Sequence, residues 1–374
     1  MRLLFLTDRL GDRGGAPNHL RDLIAAASST HTVVVASGRG WVRALASADE
    51  DSVGLEALDG LIASADVVHL QNVMNPAALR LAVGSGRAVA TIQDHRVFCP
   101  GPGKTLPDGG ACVRPFTPEI CVGCMPDAAY RDRMLRVTSA RRDALRGARL
   151  IALSPYMADA LAQAGLPGAA VIPPWVAIGP PRTDPGAGFL LGGRLVAHKG
   201  ADLGWEAWRQ SGVCAPLFLA GAGRLAGALA GAVPLGWLDR SALQSQLRQV
   251  RALLFPARWQ EPFGILGVEA LAQGVPVIAM DRGGVREWAS DGTLLVGDVS
   301  GMAEAIRALD QDPALALTLG EAGRLSVAER FSQAALYPKL EAIYAEVSGI
   351  RAADLRGSAS ASAARTPMIP ANAP

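Results

Sequence analysis

Two carboxylates, Glu261 and Glu269, bracket the apolar turn Pro262-Phe263-Gly264-Ile265-Leu266-Gly267-Val268. From Gly264 onward, Ile265, Leu266, Val268, Leu271 and Ala272 have the spacing of a helix packed on a core. Gly274 is placed to stop that helix, and Val275–Met280 reads as the strand that follows. The apolar run Ala252–Phe255 reads as a buried strand before it. Glu261 is therefore expected in a loop at the carboxyl end of a parallel strand, the edge where open α/β sheets bind ligands. The backbone amides at Phe263, Gly264, Ile265 and Leu266 open the helix and could hold an anion such as a diphosphate. Carboxylates repel phosphate, so Glu261 and Glu269 are better suited to hydroxyl pairs, those of a sugar and of a ribose.

A second loop carries cations. In Gly192-Gly193-Arg194-Leu195-Val196-Ala197-His198-Lys199-Gly200, Arg194 and Lys199 follow a strand-like run. Of the 36 Lys and Arg residues only Lys104, Lys199 and Lys339 are lysines, which leaves 33 arginines, so a lysine inside this loop marks a place for a compact point charge. Glycine pairs recur in Asp281-Arg282-Gly283-Gly284-Val285-Arg286-Glu287 and at Gly14-Gly15, ahead of the helical stretch Ala16–Ala27. Such pairs let backbone approach a ligand closely. Gly221-Ala222-Gly223 and Gly236-Trp237-Leu238 are weaker candidates for main-chain contact with a base.

These motifs, in this order, resemble retaining glycosyltransferases of family four, which have the GT-B fold and an E-x7-E signature. The resemblance spans Leu3 to about Val347. It implies two Rossmann-like domains with parallel sheets facing across a cleft, and transfer of a sugar from a nucleotide-diphosphate donor to an acceptor hydroxyl on a glycan, a lipid-linked species or a small molecule. It assigns Arg194 and Lys199 to the donor diphosphate, where each cation is worth about 4 kcal/mol at ~4 Å with an effective dielectric near 20. Charge of that size would stabilise the leaving group as the sugar–phosphate bond breaks, so that catalysis needs no metal cofactor. The amide of Gly15 would complete the cradle, Glu261 would hold the transferred sugar and steady positive charge at its anomeric carbon, and Glu269 would bind the ribose. Gly283 and Gly284 would approach the sugar or phosphate.

On the acceptor side, Thr91-Ile92-Gln93-Asp94-His95 resembles the family's "T.HD" pattern, with Gln93 where the family often has His. Side chains alternate along a strand, so His95 would share a face with Gln93 if the strand extends that far. Gln93, Asp94 and His95 are the acceptor-side candidates, and no general base is assigned. Retention itself is what the resemblance implies: the departing phosphate takes the acceptor's proton on the same face.

Four of the five cysteines fall close together: Cys99, Cys112, Cys121 and Cys124. Ending in C-x2-C, they could make a tetrahedral structural Zn²⁺ site that orders the Gly/Pro-rich loop 101–118 beside the acceptor side; the alternative is reduced thiols that pin nothing. The stretch Tyr130–Arg149 carries seven arginines against Asp132 and Asp143. A solvated helix face is the favoured reading, and attraction to an anionic membrane the other.

Strand-like and helical runs alternate along the whole chain, which predicts βαβ units and parallel sheets. A length of 374 residues suits two domains. The expected boundaries are 1–180, with the cysteine-bearing insertion at about 99–125; a Gly/Pro linker at 181–187; a second domain at 188–332; a helix at 333–350 returning to the first domain; and a disordered Ala/Ser/Pro tail at 351–374. Half the residues are hydrophobic, and the net charge of +2, with no dominant basic block, argues neither for nor against nucleic acid; no nucleic-acid partner is expected for the activity the resemblance implies. No apolar run is long enough to span a membrane, and the amino terminus reads as a strand rather than a signal peptide. A cytoplasmic protein, peripheral on the inner membrane face at most, is expected. Two other readings are a nucleotide-sugar-binding protein without transfer activity and a GT-B nucleotide-sugar epimerase.

Overall fold

The computed structural model describes residues 1–8, 13–37, 55–350 and 368–370. The chain divides into two compact units, the first made of residues 1–103, 113–173 and 336–374, the second of residues 104–112 and 174–335.

In the first unit the strands are β1 (Arg2–Thr7), β2 (Thr32–Ser37), β3 (Val67–Gln71), β4 (Ala88–Ile92), β5 (Arg149–Ala152) and β6 (Ala170–Val171). They pair in parallel in the order β2-β1-β3-β4-β5-β6. Runs such as Leu3-Leu4-Phe5-Leu6 and Val33-Val34-Val35 are apolar without alternation because helices cover both sheet faces. The helices of this unit are α1 (Gly15–Ser28), α2 (Leu55–Ala63), α3 (Pro76–Gly84), α4 (Pro118–Cys121), α5 (Ala128–Ala144) and α6 (Pro155–Gln163). Strand β5 ends at Ala152, and two residues later the Ser154 hydroxyl caps α6 by accepting from the Met157 amide at 3.2 Å.

The second unit repeats the plan with β7 (Phe189–Arg194), β8 (Leu217–Ala222), β9 (Val233–Gly236), β10 (Ala252–Phe255), β11 (Val277–Met280) and β12 (Thr293–Val296). Its helices are α7 (Ala201–Ser211), α8 (Arg240–Gln249), α9 (Ile265–Ala272), α10 (Val299–Gln311) and α11 (Pro313–Arg330). The sheet is parallel throughout, in the order β12-β11-β10-β7-β8-β9. Phe189, Leu191, Leu254 and Ile278 form its core at 2% exposure or less, each contributing roughly 1.5–3 kcal/mol. The Gly/Pro-rich run read as a linker is fastened along this unit: Gly179 N–H donates to Ala272 O at 2.9 Å, and the Arg182 guanidinium reaches Gly274 O and Val250 O at 3.1 and 3.0 Å. The division between the units falls at Pro173–Pro174 instead.

Helix α12 (Gln333–Ser348) belongs to the first unit from Leu336 onward, and Tyr344 Oη lies 2.6 Å from His69 Nδ1. The expected tail lies outside the described residues except for β13 (Met368–Pro370), which pairs in parallel on the free edge of β2.

Candidate active site

Counted within its own unit, the second sheet runs 6-5-4-1-2-3, so the strand order reverses between β7 and β10. Loops leaving the carboxyl ends of two such strands diverge and open a crevice, where doubly wound sheets bind ligands. The loop after β7 carries Lys199, and the loop after β10 carries Glu261.

Glycines let these loops approach one another. A Cβ on Gly221 would fall 1.8 Å from Gly193 O, which permits β7 and β8 to stay paired as far as Arg194. Gly200 has φ 73°, and a Cβ there would sit 1.7 Å from Pro256 O, so only glycine fits where the two loops touch. The loop after β10 is then bonded back: Arg258 and Trp259 amides donate to His198 O at 3.2 and 3.1 Å. On its other side Gly283 N–H donates to Gln260 Oε1 at 2.9 Å and Gly284 N–H to Glu261 O at 2.7 Å. The glycine pair thus supports the carboxylate loop through its own amides.

Glu261 is 3% exposed. Its Oε1 accepts from Lys199 Nζ at 2.5 Å and from Trp259 Nε1 at 2.5 Å. Lys199 Nζ also lies 4.4 Å from the centroid of the Trp259 ring, which adds cation–π attraction to the ion pair. The His198 ring packs edge-on to Trp259 at 5.4 Å. Burial, reinforced by the Arg194 and Lys199 charges, pushes the His198 imidazole down to about 4, so it is neutral near pH 7. Arg194 is exposed, and its guanidinium makes no hydrogen bond or ion pair among the described residues.

Helix α9 begins at Gly264 with φ 94° and no side-chain cap, and no acceptor among the described residues meets the Ile265 or Leu266 amide. Trp288, fully buried, donates from Nε1 to Phe263 O and fills the space beside Gly267, where a Cβ would lie 2.4 Å from the indole. This packing fixes the direction of the open helix end. At the other end Val275 N–H bonds Ala270 O at 3.0 Å and Gly274 N–H bonds Leu271 O at 2.8 Å, a Schellman closure. Val275 therefore ends the helix, and β11 starts two residues later than expected. Glu269, 8% exposed, faces Arg240 of α8 with Nε–Oε1 at 3.8 Å, a partner that sequence spacing did not suggest.

In the first unit Gly15 is the first residue of α1, and Gly14 before it has φ 125°. Gln93 is 8% exposed at the end of β4, and its Nε2 lies 2.8 Å from Nδ1 of His19 on α1. His19 is buried, which pushes its imidazole down to about 4. His95 does not share the face of Gln93. Asp94 ends the strand by capping a 3-10 turn over His95–Val97, and His95 turns to Tyr156 Oη at 3.1 Å. The imidazole beside Gln93 is therefore His19, from a distant helix. Asp94 itself pairs with Arg96 at 2.5 Å, and that guanidinium holds its carboxyl below the usual range.

Cys99, Cys121 and Cys124 lie in the first unit and Cys112 in the second. Among the described residues no group of three or more His, Cys, Asp or Glu is placed to hold a metal ion, and no cysteine is in a disulfide. The arginine-rich stretch ends at Ala144 as a helix; Arg149 belongs to β5, and Arg141 is buried with Nε donating to Met74 O at 2.9 Å. No helix among the described residues is long and apolar enough to cross a membrane.

Residues 187–312, which include Arg194, Lys199, Glu261, Glu269, Gly283 and Gly284, match the family model described as "Glycosyl transferases group 1". The matched residues lie within the second unit. Glycogen synthase of Mycobacterium tuberculosis is 34% identical over 101 residues, covering 26% of this chain and 24% of that protein. Alpha-maltose-1-phosphate synthase of the same species is 34% identical over 125 residues, covering 30% of this chain and 32% of the relative. The chain thus spans under a third of the length of these two relatives. Structures resemble it over much more. Anabaena HepE in complex with UDP and glucose superposes with a TM-score of 0.68 at 18% identity, over 92% of this chain and 100% of that one. Sucrose-phosphate synthase from Thermosynechococcus elongatus gives a TM-score of 0.67 at 18% identity, over 94% and 100%. The fold is that of the GT-B glycosyltransferases, an α/β architecture of two parallel sheets with helices.

Proposed function

We propose that this protein transfers a glycosyl group from a nucleotide-diphosphate sugar to an acceptor hydroxyl, with retention at the anomeric carbon. The observation that carries this reading is the buried Glu261 carboxylate held by Lys199 at the strand-order reversal of the group 1 domain, beside an uncapped helix start. Complexes of a protein with the same fold, HepE with UDP and with UDP-glucose, support a nucleotide-sugar donor.

The chemistry follows from charge. Arg194, with no carboxylate partner among the described residues, and Lys199 face the leaving diphosphate; the Ile265 and Leu266 amides bind the same anion. An ammonium has three donors, so Lys199 can keep Glu261 and still reach a phosphate oxygen. The bond from anomeric carbon to phosphate oxygen breaks with its electron pair going to the diphosphate, and positive charge grows on the sugar. Glu261 accepts hydrogen bonds from the sugar's hydroxyls and stabilises that charge, while Glu269, held by Arg240, accepts from the ribose. The acceptor oxygen enters on the face the phosphate leaves and gives its proton to the departing phosphate. These residues supply the positive charge that the leaving group needs, so the reaction requires no added divalent cation. The acceptor is a hydroxyl of a glycan, a lipid-linked species or a small molecule.

A thermal-shift panel of nucleotide sugars, beginning with UDP-glucose, tests donor binding. At 100 times its dissociation constant a true donor stabilises by about 2.7 kcal/mol. Slow release of nucleoside diphosphate by the purified protein then separates a transferase from a binder; tight binding with no release over hours would overturn the enzymatic reading.

A further inference from the structure

The loop that presents Glu261 has no regular secondary structure, and Pro262 directly after it contributes no N–H. Its buried backbone donors must therefore find partners outside the loop. Arg258 and Trp259 use His198 O, but the Gln260 amide turns the other way and donates to Thr105 Oγ1 at 3.0 Å. Gln260 and Thr105 are 7% and 8% exposed, so water does not substitute for this bond.

Thr105 comes from an unexpected part of the chain. Residues 104–112 belong to the second unit although Gly103 and Val113 on either side belong to the first. They form a small self-bonded hairpin: Thr105 and Ala111 make an antiparallel bridge, Cys112 N–H donates to Lys104 O at 2.7 Å, and Leu106 N–H to Gly110 O at 2.8 Å. The turn is closed by Asp108 Oδ1, which accepts from Gly110 N–H at 2.8 Å, with Gly109 at φ 88°. A hairpin closed by its own hydrogen bonds in this way presents the Thr105 hydroxyl to the Gln260 amide.

We propose that Thr105 is a positioning residue for Glu261: its hydroxyl fixes the Gln260 peptide, so that the carboxylate site depends on the hairpin 104–112 of the same unit, far away in sequence. The chain of bonds is short. Thr105 holds the Gln260 amide, Gln260 Oε1 holds Gly283 N–H at 2.9 Å, and the next carbonyl, Glu261 O, holds Gly284 N–H at 2.7 Å. Without the hydroxyl the Gln260 amide is buried and unsatisfied, and the loop can relieve this only by moving the peptide that carries the carboxylate. The inference about rate rests on the glycosyl-transfer reading; the inference about the loop does not.

The test compares the full chain with Thr105→Val and Thr105→Ser, following donor turnover, donor KM and residue-resolved amide exchange at Gln260. Valine keeps the shape and removes the acceptor oxygen; serine keeps the oxygen. Thr105→Val is expected to lower kcat at least tenfold, about 1.4 kcal/mol of barrier, with donor KM within threefold. It should also speed Gln260 exchange at least tenfold, and Thr105→Ser should restore both. Thr105→Ala gives the same comparison if the valine variant does not fold. Wild-type exchange at Gln260 in the valine or alanine variant, or wild-type kcat with faster exchange, overturns the proposal. If the unaltered protein neither binds nor turns over any nucleotide sugar, the glycosyl-transfer reading fails instead, and the exchange comparison still decides whether Thr105 holds the loop.

Discussion

Lys199 Nζ stands 2.5 Å from Glu261 Oε1 and 4.4 Å from the Trp259 ring centroid, so one ammonium is shared between a buried carboxylate and an aromatic face. The two ends of this pair are unequally buried, with the Lys199 side chain 26% exposed and that of Glu261 4%. Removing either partner should therefore have unequal consequences. Glu261→Gln leaves a lysine that water can reach, whereas Lys199→Ala leaves a carboxylate that water cannot. We expect Lys199→Ala to lose stability near the lower end of the ~3–5 kcal/mol known for broken buried pairs, and Glu261→Gln to lose less. Turnover should rank the other way: Glu261→Gln cuts kcat by roughly two orders of magnitude or more with modest loss of nucleotide affinity, the scale seen when an electrostatic group at the reacting centre is removed. Lys199→Ala should weaken both rate and binding. Urea unfolding and donor kinetics on the two variants check the ranking, and wild-type turnover in Glu261→Gln would remove Glu261 from the site.

Two glycines with similar positive φ allow a cleaner test of packing. Gly283 has φ 57° and Gly212 has φ 68°. A Cβ on Gly212 meets nothing within 4 Å, whereas one on Gly283 would lie 2.5 Å from Glu261 O and 2.7 Å from Glu261 N. Both alanine variants carry the left-handed backbone cost of roughly 1–2 kcal/mol. Only Gly283→Ala should also displace the Glu261 peptide and lower kcat, by tenfold or more. Equal stability losses and equal rates in the two variants would mean that the glycine pair does not support the carboxylate loop.

Much of this site was legible because close packing at a strand end restricts residue type. Glycine is required where Gly200 meets Pro256 O and where Gly221 meets Gly193 O, so the spacing of glycines around Arg194 and Lys199 carries the geometry. The parallel strands announced themselves through uninterrupted apolar runs. Partners that lie far apart in the chain leave no such trace: His19 beside Gln93, Arg240 beside Glu269 and Thr105 beside Gln260 could not be read from local spacing. Helix α11 is hard to read in the sequence for a related reason. Its buried face includes Gly320 and Gly323, which approach Gly274 O and the Gly292 backbone, so the packing surface lacks the large apolar residues that mark a helix in sequence. His95 was misplaced because the strand stops where Asp94 caps the next turn.

Chelation offers a third check. If Arg194 and Lys199 supply the charge that the leaving diphosphate needs, turnover should be unchanged within error after dialysis against EDTA and should not rise on adding Mg²⁺ or Mn²⁺. Loss of turnover on chelation, restored by one of these ions, would show that the two side chains are insufficient.

The first unit should be acid-sensitive in a window set by its histidines. Burial holds His19 at about 4 and His69 at about 3, both below the ordinary 6.5. His69 is 0% exposed, stacked on Phe5 at 4.9 Å and bonded to Tyr344 Oη and Thr91 Oγ1, a setting with no place for a second charge. The sign follows from proton counts. Between pH 6.5 and about 4 the unfolded chain binds protons at these rings and the folded chain does not, so stability rises with pH across the window and falls as the solution is acidified through it. Each ring contributes a slope of up to about 1.4 kcal/mol per pH unit. Asp94 and Asp281 do not obscure this, because they are held below their ordinary 3.8 and lose their stabilising charge only at lower pH. Urea unfolding at pH 7, 6 and 5 should show a steady decline, and His19→Asn should flatten it by about one ring's share. A profile level from pH 7 to 5, or one that His19→Asn leaves unchanged, would contradict the burial of a neutral imidazole beside Gln93.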